Sequence, residues 1–135
     1  MGFGIPRRTQ KKQTYETVRP IVRRAVYQRD GGRCRCGCGQ ALALHGGGAD
    51  PVGHAHELRS RSIGGDPLCA ADIILLAPAC HARATGQIGT GKTLDFVTED
   101  PAIGAAGGIW VFERCGAIVQ SCLTFPVVSR TEFIS

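Results

Sequence analysis

The stretch "GHAHELRSRSIGGD", residues 53–66, sets two histidines and a glutamate within four positions, then two arginines and a Gly-Gly. Its opening, "HAHEL", alternates as a β-strand does, and "RSRSIGGD" would turn the chain. Downstream, "DIILLA" at 72–77 is apolar and β-branched at its start, a strand or the lead-in to a helix. "CHARAT" at 80–85 reads as a helix that Gly86 ends. Upstream lies a glycine-rich run from Gly31 to Gly53, with "LALHGGGADP" as a loose loop, and within it the cysteine cluster "CRCGC" at 34–38.

Further out, Pro20 suits the first turn of a helix with Ile21, Val22, Ala25 and Val26 on one side and Arg23 and Arg24 on the other. "RDGG" at 29–32 should stop it. Residues 1–14 read as a disordered basic arm, 15–102 as the main domain and 103–135 as a β-rich extension. "LDFVTEDPAIGAAGG" has room for a short helix after Asp100-Pro101, and "IWVFERCGAIVQSCLTFPVV" looks like two strands around Gly116.

A chain of 135 residues supports one core with appendages. It has no run of 18 apolar residues and no secretory start, so the expected setting is cytoplasmic, without a membrane partner. Residues 1–35 carry ten Lys or Arg against Glu16 and Asp30, whereas the remainder carries six basic and nine acidic side chains. A basic front suits a polyanion held by counterion release; the plain alternative is a solvated tail. Seven cysteines, three of them crowded at 34–38, do not suit a disulfide framework and suit metal thiolates better. Cys69, Cys115 and Cys122 have apolar neighbours and are expected to be small buried side chains.

The pieces "VYQRDGGRCRCGCG", "HELRSRSIGGD" and "ADIILLAPACH" follow in an order that resembles the HNH endonuclease family, in particular its small phage and prophage members with zinc-binding cysteines. The resemblance covers about residues 20–85, with an echo in "FVTEDPAIGAAG". It implies an α+β fold: a ββα-metal core with a zinc-knuckle-like cysteine cluster behind a basic helix. It implies a phage- or prophage-encoded DNA endonuclease that hydrolyses phosphodiester bonds with one divalent cation (Mg, Mn, Ni or Zn). DNA is then the partner, with phage packaging proteins a further candidate.

On that resemblance His56 and His81 are the metal ligands and Glu57 stands where the family has its histidine base. Two other assignments stay open: Glu57 as ligand with His56 as base, or His54 serving from the same strand face as His56. For His54 the plain reading, a residue at a loop end, is preferred. Asp72 takes the place of the family's middle asparagine, and the further ligand that the family often has in the next turn is absent, since 84–86 are Ala84, Thr85 and Gly86. The second Cys-x-x-Cys pair is reduced to Cys80, because Ala77 replaces its first cysteine; a structural zinc would use Cys34, Cys36, Cys38 and Cys80. Arg59 and Arg61 suit phosphate oxygens, and Arg23 and Arg24 suit the backbone further along the duplex. The competing readings are a catalytically impaired zinc- and DNA-binding module of the same fold, and a regulatory or structural protein of another fold.

"GQIGTGKT", residues 86–93, matches the phosphate-loop expression, but no buried strand leads into it and Pro101 limits any helix after it. Nucleotide binding is not expected, although Lys92 and nearby amides could still meet a phosphate.

Overall fold

Helix α1 spans Arg7–Arg29 and ends where Gly31 and Gly32 adopt positive φ. It belongs to a computed structural model that describes residues 7–59, 64–86 and 91–126, with side chains from Thr14 onward. Residues 7–14 are therefore helical rather than a disordered arm, and residues 1–6 lie outside the described part. Pro20 sits inside α1, not in its first turn, at the cost of one intrahelical hydrogen bond. The inward face is also rotated from the expected one. Val26 is fully buried, while Ile21 and Ala25 face solvent, because the core side of α1 is set by Val22, Val26 and Asp30 at a spacing of four.

Strand β1, His54–Glu57, pairs antiparallel with β2, Ile73–Leu76, with His54 opposite Leu76 and His56 opposite Ile74. All four side chains of β2 are buried, which explains its unbroken apolar run. Its outer edge is not left open. Leu75 N–H donates to Asp30 Oδ2 at 2.9 Å, Leu75 O accepts from Arg35 N–H at 2.8 Å, and Ile73 O accepts from Arg29 Nη2 at 2.5 Å. The end of α1 and the cysteine turn thus stand in for a third strand. Helix α2, Pro78–Thr85, follows β2 after one residue; Pro78 opens it and Gly86, in the left-handed region, closes it.

The remaining strands are β3, Leu94–Thr98, β4, Ile109–Cys115, and β5, Ile118–Thr124, in the order β3-β4-β5, all antiparallel. The two strands expected around Gly116 are β4 and β5. "LDFVT", in contrast, is a strand, and the segment after Pro101 forms only a 3-10 turn, Gly104–Ala106. That turn packs on another, Ala70–Asp72. Gly104 has φ of 57° and a side chain there would run into the carbonyl of Ala71, so only glycine permits the approach. The core runs from Val26 and β2 through Leu42 to Leu94, Phe96, Ile109 and Val111.

The architecture among the described residues is α+β: two helices, two small antiparallel sheets and a four-cysteine cluster. No described helix is long and apolar enough to cross a membrane.

Candidate functional site

Helix α2 bears adjacent residues that serve two different clusters. Cys80 joins the cysteine turn, and His81 meets the histidines of β1. Arg83 fixes the helix against the larger sheet: its Nε donates to Thr93 Oγ1 at 2.9 Å and its Nη1 to Glu113 Oε2 at 3.0 Å.

The Sγ atoms of Cys34, Cys36, Cys38 and Cys80 all lie within 4.8 Å of one another. Neighbouring pairs are closer: 3.2 Å for Cys34–Cys36, 3.4 Å for Cys36–Cys80 and 4.0 Å for Cys38–Cys80. Four thiolates about 2.3 Å from a tetrahedral zinc stand about 3.8 Å apart, so the quartet fits that ion. Two backbone amides support the sulfurs, Ala77 N–H on Cys34 at 3.2 Å and Cys38 N–H on Cys36 at 3.4 Å. Ala77, which lacks the expected thiol, therefore still serves the cluster through its backbone. Gly37, with φ of 89°, makes the tight turn between Cys36 and Cys38 and lies against Thr124.

Crowding couples these thiols. The hydrogen bond with Cys36 pushes Cys34 down to about 5, and the same bond, with burial, pushes Cys36 well above the thiol range. Burial and the nearby Cys34 charge push Cys80 up to about 12. Each thiolate formed makes its neighbours keep their protons, a repulsion that a divalent cation relieves. Cys115 and Cys122 are exposed and Cys69 is half-buried, contrary to the expectation for all three. Cys122 lines the same hollow as Cys36, Cys38 and Cys80. Its pairing opposite buried Val111 puts it on the inner face of the sheet, a signal that strand periodicity carries.

On β1, alternation sends His54 and His56 to the face that meets α2. His54 Nδ1 lies 3.1 Å from His81 Nδ1, and the His56 ring centroid is 5.3 Å from that of His81. Nitrogens sharing a cation at about 2.0–2.1 Å stand roughly 2.9–3.4 Å apart, so the His54–His81 pair has a ligand pair's spacing. His54 thus touches His81 rather than idling at a loop end. Phe96 packs on the other side of His56 at 5.5 Å. Burial, reinforced by the positive charges of His81 and Lys92, lowers the His56 pKa to about 4; burial also lowers that of His81. Both imidazoles are accordingly neutral near pH 7, the form that binds metals.

The rings of His56, His81 and Phe96 border a hollow of about 490 Å³ shared with Glu57, Thr85, Lys92 and Asp95; His54 is not among the residues that line it. Glu57 also borders a smaller hollow beneath α1 with Tyr15, Arg19 and Arg23, as alternation requires of a residue next to His56. Asp72 accepts from the Asp66 N–H at 3.2 Å, and its carbonyl accepts from Leu58 N–H at 2.8 Å, which ties the end of β1 to the start of β2. Arg59 reaches back to both Asp72 oxygens at 3.4 Å instead of extending alone into solvent. Arg23 is also engaged, donating to Gly53 O at 3.1 Å, while Arg24 is exposed. Arg61 lies outside the described residues. Lys92 and Thr93 lead into β3 rather than a helix, so "GTGKT" lacks the helix that a phosphate loop needs.

No known family, curated protein or solved structure matches this chain.

The sequence reading kept His54's part in the site only as an alternative, and it missed the buttress from Phe96 and the approach of Cys122 to the cysteine turn. His54 and Cys122 carried a signal, through period-two alternation; Phe96 comes from a strand whose docking is a tertiary event.

Proposed function

We propose that this chain is an HNH-type, metal-dependent DNA endonuclease whose fold is the ββα-metal core, here β1, β2 and α2, beside a structural zinc. The observation that carries the reading is that His81 of α2 meets both His54 and His56 of β1, with His56 and His81 lining one open hollow. The donors suit a divalent cation: the His56 and His81 imidazoles come from two elements, and the hollow leaves room for a phosphate and water. His56 and His81 would hold the ion, with His54, whose Nδ1 is 3.1 Å from that of His81, beside them. When bound, it supplies Lewis-acid stabilisation of charge on the phosphate and the leaving oxygen.

The chain's own groups do the rest. Glu57, at the last position of β1, takes the proton of the attacking water. One phosphorus–oxygen bond forms to that water and the bond to the leaving sugar breaks, with the sugar oxygen protonated by solvent. Asp72, bonded to Leu58, holds the end of β1 in place. Arg24 and the basic residues earlier in α1 bind the duplex backbone through charge alone.

Plasmid nicking in the presence of Mg, Mn, Ni or Zn tests the reading. His81→Ala should abolish cleavage while the circular dichroism spectrum and DNA retention persist. Glu57→Gln should slow it about 10²–10⁴-fold, the usual worth of a general base. A parent protein that binds zinc and DNA but cuts with none of these ions would favour a second reading, an impaired zinc- and DNA-binding module. The missing ligand at 84–86, Glu57 in place of a histidine base and Asp72 in place of the asparagine favour that second reading.

A further inference from the structure

A phosphodiester entering the histidine hollow brings a negative charge that becomes larger at the transition state. One fixed cation beside the metal is the usual protein answer, supplied as a guanidinium or ammonium aimed at a non-bridging oxygen. Of the arginines assigned to that task from sequence, Arg59 borders a neighbouring hollow with Phe96, Pro101 and Gly104 and is paired with Asp72. Among the described residues that line the histidine hollow, Lys92 is the one with a permanent positive charge.

Lys92 is held in position rather than adrift. The next residue, Thr93, donates its N–H to Arg83 O at 3.0 Å, and Arg83 Nε returns a bond to Thr93 Oγ1 at 2.9 Å. Arg114 N–H closes on Thr93 O at 2.9 Å from the other side. The backbone bearing Lys92 is therefore clamped to α2, the helix of His81, and to β4. Its Nζ lies 3.4 Å from Asp95 Oδ1, three residues further on, with both side chains more than half exposed. An exposed pair of this kind is weak and exchanges partners readily. A phosphate oxygen can displace the Asp95 carboxylate at little cost.

We propose that Lys92 is a phosphate-binding catalytic residue of the histidine hollow, its ammonium donating to a non-bridging oxygen of the scissile phosphodiester, with Asp95 holding it ready between turnovers. The catalytic part rests on the nuclease reading; the phosphate contact does not. The assignment gives the β-rich half of the chain a part in the site, since the segment entering β3 brings Lys92 to it and β3 itself brings Phe96.

The experiment uses the full chain with its zinc in place and two readouts. The first is retention of a short DNA duplex by fluorescence anisotropy across a salt series, without added divalent cation. The second is plasmid nicking with the cation that supports cleavage in the parent. Lys92→Met should reduce the slope of log affinity against log salt by about one, the signature of a single phosphate that is no longer neutralised. It should also lower kcat/KM about 10²–10³-fold, as removal of one charge-stabilising donor does. Lys92→Arg should restore the salt slope and stay within about tenfold of the parent in rate, since it keeps the charge. An unchanged slope and unchanged nicking in a folded Lys92→Met protein would overturn the proposal. If the parent fails to cut with every cation tried, the nuclease reading falls by that result, and the salt slope alone then decides whether Lys92 meets phosphate.

Discussion

Asp30 sits at the junction of α1, the cysteine turn and β2, with no solvent exposure. Its carboxylate accepts from Arg29 Nε at 2.8 Å, Arg35 Nη1 at 2.7 Å and Leu75 N–H at 2.9 Å. Arg35 is equally buried and directs its Nη atoms also to Ala105 O and Gly107 O, tying the junction to the turn before β4. Removing one member of such a group leaves an uncompensated buried charge. Asp30→Ala should therefore cost about 3–5 kcal/mol in urea denaturation, well beyond a surface change. A drop below about 1 kcal/mol would show that Arg35 finds solvent or another partner. In the sequence Asp30 reads only as part of a helix stop, because nothing local reveals that a β-strand edge will need its oxygens.

Two neighbouring side chains of α2 belong to different clusters, so this helix has to keep its place for either to form. The partners of Cys80 in the cysteine quartet all come from one five-residue turn, Cys34 to Cys38. One zinc per chain is expected by elemental analysis of the purified protein. Cys36→Ser should release that zinc and lower the thermal midpoint, because a structural metal's binding energy is folding energy. Cys122→Ser should keep both, since its thiol lines the hollow without belonging to the quartet. Retention of zinc by Cys36→Ser would mean that Cys122 can enter the coordination shell. The strands of "HAHEL" and the last hairpin, and the helix of "CHARAT", are legible from periodicity and glycine placement, whereas "DIILLA", apolar throughout and buried on both faces, reads equally as strand or helix lead-in. "LDFVT" is harder to read, because five residues with two exposed positions give neither a helical stripe nor a long alternation.

At the scale of the whole molecule, positive charge is gathered at one end of the chain and the histidine hollow lies in its less charged part. Residues 1–14 contain Arg7, Arg8, Lys11 and Lys12, all four within α1. Deleting 1–14 should weaken DNA binding uniformly across sequences. The log–log salt slope should flatten by up to about 3–4, near 0.9 for each phosphate that these side chains neutralise. An unchanged slope would remove the start of α1 from the interface.

Local order along the chain was enough to name the strand of "HAHEL", the last hairpin and the helix bearing Cys80 and His81, and to mark the crowded cysteines at 34–38 as metal thiolates rather than disulfides. Each of these depends on residue spacing and on nearest neighbours, which a linear string records in full. Which arginine is diverted to Asp72 and which lysine enters the hollow were settled by packing. Those outcomes depend on where β3 docks and how α1 rotates, on contacts between residues tens of positions apart, and no periodicity encodes such distances.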